Sequence, residues 1–203
     1  MGLGHHGPGE FGQAELCFRE GIELCRKSGD EVGVASALNS LGLALHGLGR
    51  SREAIDHYQQ APRAQIARGE QRGAALTHVN VARSLIALGD DSDVIPHLDR
   101  ARTVFAEIGD RYNQARASLE LGSLRLNAGE PAEARRILSA ALGVMVDLDA
   151  KYEQARIHEQ LCAVATAMRT DESARRHLER AAELYESTGS PLAERIRRRL
   201  TGS

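Results

Sequence analysis

The sequence predicts an all-α solenoid of antiparallel helix pairs, and three observations carry that prediction. First, one pattern returns every 40 residues: Gly29, Gly69, Gly109, Asp149 and Gly189 stand in the turn, and Ala35, Ala75, Ala115 and Ala155 follow six residues later. Second, small or compact residues recur in step at Gly42, Ala82, Gly122 and Cys162, at Ala54, Val94, Ala134 and Ala174, and at Ala61, Ala101, Ala141 and Ala181. Residues of that size are expected where two helices touch. Third, each unit holds two stretches of helical length separated by turn residues. A fixed period of 20 to 50 residues marks a stack in which each unit buries its apolar face against its neighbours.

Taken in order, residues 1–28 read as an incomplete first repeat. MGLGHHGPG lines up with LGLALHGLG at 41–49, the rear half of a first helix, and a helix follows from about Glu10 to Lys27. The reading favours a chain cut from a longer protein, with residues 1–9 loose. Complete repeats are expected at 29–68, 69–108, 109–148 and 149–188, and a capping helix at 189–203, all within one continuous array over 1–203. In the first, Asp30 caps a helix to about Leu48 and Ser51 caps its mate to about Arg68, with a kink at Pro62. The second pairs Gln71–Leu88 with a helix that starts late, near Asp93, so that Pro96 stays in its first turn. The third places Pro131 at a first helical position. The fourth substitutes Asp149 and Arg169 for the turn glycines. Ser190 then caps PLAERIRRRL, which covers the last apolar face.

Composition narrows the function. The chain has 203 residues, 42% hydrophobic and 27% charged, enough for a packed core and too apolar for a disordered tail. Aromatics are 3% and Trp is absent, so an enclosed aromatic pocket is not expected. A net charge of −2 gives no general pull toward nucleic acid or anionic lipid. Cys17, Cys25 and Cys162 form neither an even set nor a C-x2-C spacing, which fits a reducing cytoplasm. No apolar run reaches membrane-spanning length, and the N-terminus lacks a signal-peptide pattern. No phosphate loop, nucleophile elbow or H-E-x-x-H motif is present, so an enzyme is not expected, and no cofactor is implied.

Within one unit, Leu38-x2-Leu41-Gly42-x2-Leu45 followed by Ala54-x3-Tyr58-x2-Ala61 resembles the tetratricopeptide repeat (TPR). The unit departs from the usual pattern in having Leu where Trp is common, a period six residues longer and no closing Pro; it looks like the 40-residue variant. The resemblance implies a right-handed superhelix whose first helices line a groove for a protein or peptide partner. Carried across by position, the groove residues are Ser36, Asn39, Leu43 and His46; Leu76, Val79, Arg83 and Ile86; Arg116, Leu119, Ser123 and Leu126; and Arg156, Glu159, Ala163 and Thr166. Only Asn39 and Arg83 suit a carboxylate clamp of the chaperone-binding kind, so that function is not expected. The apolar members either form a greasy groove or bury one another in a tight superhelix. With the groove open, Arg116 and Arg156 add positive charge to one rim.

His57, His97 and His177 share one repeat position, with Cys17 and Ile137 at its equivalents. Equivalent positions on a stack are separated by a helix diameter, so the reading is a packing histidine and not a metal site. The Arg195, Arg197, Arg198 and Arg199 cluster reads as a solvated helix face. The GD turns and ALNSLG-type helices of residues 10–188 also resemble the C-terminal repeats of actinobacterial antibiotic-regulatory transcription factors and signal-transduction ATPases. That resemblance implies a regulatory segment whose partners include other domains of the parent protein. The alternative is a peptide-pheromone or small-ligand receptor, which calls for a row of groove Asn residues. Nucleic-acid binding calls for base-reading polar pairs in every unit and is disfavoured. Pairing of two chains through the incomplete first unit is left open.

Overall fold

A computed structural model describes residues 8–60, 71–90 and 92–201. Ten helices are found among the described residues, and no strand. The expected kink at Pro62 and the state of residues 1–7 lie outside the described residues. The helices fall into two compact units, residues 1–108 and 109–203, which divide between two repeats.

The first unit holds α1 (Pro8–Ser28), α2 (Glu31–Gly47), α3 (Ser51–Gln60), α4 (Gln71–Leu88) and α5 (Val94–Glu107). Asp30 caps α2 by accepting a 3.0 Å hydrogen bond from the Gly33 amide. Gly29 and Gly49 take the left-handed backbone that ends α1 and α2. Ser51 differs from its expected role. It is already helical, Arg50 C=O takes the Ala54 amide, and the Ser51 hydroxyl turns instead to His46 Nδ1 at 3.3 Å. The late start of α5 leaves Pro96 in the first turn, where no intrahelical bond is lost. Ile22, Leu38, Leu41, Leu45, Ile55 and Tyr58 close one core, and Ala75, Ala101 and Phe105 a second.

The second unit holds α6 (Arg111–Asn127), α7 (Pro131–Asp147), α8 (Lys151–Ala167), α9 (Asp171–Ser187) and α10 (Leu192–Thr201). Asp110 caps α6 through the Asn113 amide at 3.1 Å, and Pro131 opens α7. Asp149 and Arg169 adopt φ of 49° and 57° in the turns where glycine stands elsewhere. The core runs from Ala115, Leu119, Leu138 and Met145 to Ile157, Leu161 and Val164. A second cluster, including Leu178, Ala181 and Tyr185, receives Ala193 and Ile196 of α10. That short helix therefore covers an apolar face, and Ser190 Oγ accepts from the Leu192 amide at 3.3 Å.

Candidate partner-binding faces

In each unit the first helices of consecutive pairs lie against each other, α2 beside α4 and α6 beside α8. The positions carried over from the repeat pattern fall on and beside these two seams.

Polar side chains bridge the α2/α4 seam. Asn39 Oδ1 accepts from Asn80 Nδ2 at 3.2 Å and from Thr77 Oγ1 at 3.4 Å, while His46 Nδ1 meets Ser84 Oγ at 3.1 Å. Burial, and after it the nearby Arg83 guanidinium, lower the His46 pKa, so the ring is neutral at pH 7. Arg83 makes no ion pair or hydrogen bond among the described residues, and Tyr58 Oη is buried without a partner there. Leu43 and Ile86 are exposed on this face, at 38% and 39%. Leu76 and Val79 pack against the Ala75, Ala101 and Phe105 cluster and offer a partner little surface.

Charge dominates the α6/α8 seam. Glu153, only 7% exposed, accepts from Arg156 at 3.0 Å and from Tyr112 Oη at 3.4 Å, and lies 3.7 Å from Arg116 Nε. Arg156 also reaches Glu120 at 3.5 Å. Desolvation works against the Arg156 charge, but the Glu153 and Glu120 carboxylates outweigh it and the pKa is raised. Arg116 and Arg156 thus stand beside compensating carboxylates and do not form a positive rim. Glu159 accepts from Tyr185 Oη at 2.6 Å and from Arg195 at 3.0 Å, with Arg199 at 3.5 Å. Burial and this carboxylate both push the Tyr185 phenol pKa up, so the tyrosine stays a donor. Arg197 pairs with Glu186 at 2.5 Å, and Arg198 with Glu194, so the four arginines of the last helix are all engaged.

A cleft of about 270 Å³ opens here, walled by α6, α8, α9 and α10; Leu119, Ser123, Arg156 and Glu159 line it together with Tyr152 and Tyr185. Leu119 shows the cleft little more than an edge, being 2% exposed and part of the core. Leu126 packs partly buried on the same core. Ser123 donates to the Leu119 carbonyl.

Several contributors escape reading by repeat position. Glu153 had a visible signal in its helical spacing to Arg156, whereas Glu120, Asn80, Ser84 and Tyr185 had none. Among the described residues no three His, Cys, Asp or Glu side chains gather as a metal site, and no helix is long and apolar enough to cross a membrane. All three cysteines are free.

A profile of the tetratricopeptide repeat family matches residues 2–65. Among curated proteins none matches the chain in sequence. Solved structures do match in shape. BtubC (BKLC) from P. vanneervenii superposes with a TM-score of 0.79 at 18% identity, over 89% of this chain and 75% of that one. The TPR-like repeats of a putative kinesin light chain from Podosopora anserina give 0.64 at 15% identity, over 89% of each chain. MamA protein gives 0.58 at 16% identity, over 88% of this chain and 95% of that one. The fold is that of TPR-like helical repeats, and residues 2–65 carry the family's sequence pattern.

Proposed function

We propose that the chain is a non-catalytic protein–protein interaction module that takes a peptide or helix of a partner on its first-helix faces, as a regulatory part of a larger protein. The cleft between α6, α8, α9 and α10 is the observation that supports this most. Its volume of about 270 Å³ suits one or two partner side chains. A drug-sized ligand calls for roughly 300–1,000 Å³. Its lining of tyrosine, arginine and glutamate suits anchoring of a peptide by hydrogen bonds. The TPR sequence match and the TPR-like neighbours support an interaction role in general. The likeness to regulator repeats supports placement in a transcriptional regulator whose other domains are the nearest partners. In the first unit Leu43, Ile86 and Arg83 offer a separate surface for a partner.

Display selection of peptides on the intact chain tests this reading. Selected peptides should lose at least about tenfold in affinity with Ser123→Arg, which fills the cleft, or with Leu43→Glu plus Ile86→Glu, while the thermal transition is kept. Selection of nothing, or binding indifferent to both variants, would sink it.

A second reading, an extended-peptide or small-ligand receptor, draws on the Asn39–Asn80 amide pair at 3.2 Å. It requires Asn39→Ala to abolish binding and Ser123→Arg to spare it.

A further inference from the structure

Histidine recurs on both helices of two repeats. On the second helices it stands at His57, His97 and His177; on the first helices the matching register carries Leu38, His78, Ser118 and His158. The structure joins the two sets. His78 Nδ1 lies 2.8 Å from His97 Nδ1, with ring centroids 5.0 Å apart and planes inclined by 45°. His158 Nδ1 lies 3.0 Å from His177 Nδ1, with centroids 5.2 Å apart and planes inclined by 40°. Each pair joins the two antiparallel helices of one repeat, one pair in each compact unit. Where the first helix carries Leu38 instead, the His57 Nδ1 is buried with no hydrogen-bond partner among the described residues.

We propose that each pair, His78 with His97 and His158 with His177, is a two-histidine site for a divalent late transition metal of the Cu2+ or Ni2+ type, with solvent water as the remaining ligands. The distances place both nitrogens of each pair within reach of one ion. Imidazole nitrogen binds such ions at about 2.0–2.1 Å, so two ligands at right angles stand about 2.9 Å apart, and two tetrahedral ones about 3.3–3.4 Å. The observed 2.8 and 3.0 Å are hydrogen-bond separations in the metal-free pair, and they lie nearer the right-angled spacing of square-planar or tetragonal ions, so little movement brings both nitrogens to one such ion. All four rings are half-buried, held by packing yet not enclosed.

The metal-free pair shares one proton, an Nδ1–H on one ring donating to the Nδ1 lone pair of the other. For both nitrogens to bind an ion, the donor ring must carry its proton on Nε2, and the two rings must turn so that both lone pairs meet at the metal. No net proton leaves a neutral pair.

Neighbouring charge ranks the two sites. Asp93 acts on His97 and Arg100 on His78, an even balance. Around the second pair, Arg176 acts on His177, and Arg180 and Glu183 act on His158, which leaves one positive charge in excess. The first pair is therefore the tighter site. This inference does not depend on the partner-binding reading, since neither pair lines the cleft.

The test is a calorimetric titration of the intact chain with Cu2+, in weakly coordinating buffer and on a background carrying His5→Gln and His6→Gln. Two equivalents per chain are expected, one with His78→Gln and none with His78→Gln plus His158→Gln. Electron paramagnetic resonance of the loaded background protein should show hyperfine coupling to two nitrogens per Cu2+. The complementary variant, His97→Gln plus His177→Gln, should give the same loss, so that one misfolded variant does not decide the outcome. No uptake at micromolar Cu2+, uptake unchanged in either folded double variant, or coupling to a single nitrogen would overturn the proposal.

Discussion

Gly42 on α2 and Tyr58 on α3 touch so closely that a Cβ on the glycine would lie 2.4 Å from the tyrosine Cε1. Gly122 stands in the same relation to Leu138, whose Cγ would be 2.5 Å away. Tyr58 and Leu138 are both fully buried, so neither can retreat into solvent. Gly42→Ala and Gly122→Ala are therefore expected to destabilise by about 1–3 kcal/mol through overpacking. Gly143, exposed on α7 with nothing within 4 Å of an added Cβ, should respond in the opposite sense. Gly143→Ala should stabilise by about 0.5–1 kcal/mol, because only the conformational cost of glycine in a helix changes. Urea denaturation of the three variants separates the cases.

Arg169 is held at φ 57°, whereas Gly129 in a comparable turn sits at 77°. A side chain in this left-handed region costs roughly 1–2 kcal/mol that glycine avoids. Part of that gain is lost because glycine is freer when unfolded, so Arg169→Gly should stabilise by about 0.5–1 kcal/mol. Asp149→Gly should gain less, since Asp tolerates the region better. The converse change, Gly129→Arg, should destabilise. Thermal scans of the three variants would show it, and a lower midpoint for Arg169→Gly would contradict the strain argument.

The helix register was legible because it depends on features within a single unit: Asp30 as a cap, Pro131 at a helix start, and glycine or alanine wherever two helices close on each other. Ser51 misled because a capping residue also has a side chain free to bond elsewhere, and His46 supplied that bond. The site was less legible. Repeat position indicates which residues lie along the first helices, but the seam contacts join residues about 36 to 41 apart, such as Glu120 with Arg156 and Asn39 with Asn80. Which rotamer crosses a seam is decided by the neighbouring helix. The paired histidines escaped for a related reason. Comparing His57, His97 and His177 with one another follows one helix of each pair, whereas the contact is with the residue 19 positions earlier on the other.

Glu153 offers a test of the charged seam. Its carboxylate is nearly buried and serves Arg156, Arg116 and Tyr112, so its removal leaves two guanidinium groups short of their counter-charge. Fully buried pairs cost about 3–5 kcal/mol when broken on one side. The arginines here are a third exposed and partly served by water, so about 1–3 kcal/mol is expected for Glu153→Ala. Glu133→Ala on the surface of α7 should cost under about 1 kcal/mol. Equal losses at both positions would refute the ranking.

Acid should weaken the metal-free protein through the two histidine pairs. Burial first, then the partner ring, then Arg100 or Arg180, lower the pKa of His78 and of His158 to about 4. His97 and His177 are lowered as well, mainly by burial, with Asp93 opposing the shift at His97 and Arg176 adding to it at His177. An unfolded histidine titrates near 6.5, so between about pH 6.5 and pH 4 the unfolded chain holds more protons than the folded one. Stability from these rings is complete above about pH 6.5 and is lost progressively as the pH falls toward 4. Because the rings are half-exposed, screening reduces the effect to about 1 kcal/mol per pair, or about 2–4 °C in the thermal midpoint. Carboxylates titrate in the same range, so the informative quantity is the difference between the native chain and His78→Gln plus His158→Gln, measured with chelator present. That difference should narrow on going from pH 7 to pH 4.5, and a constant gap would show that the pairs do not couple protonation to folding.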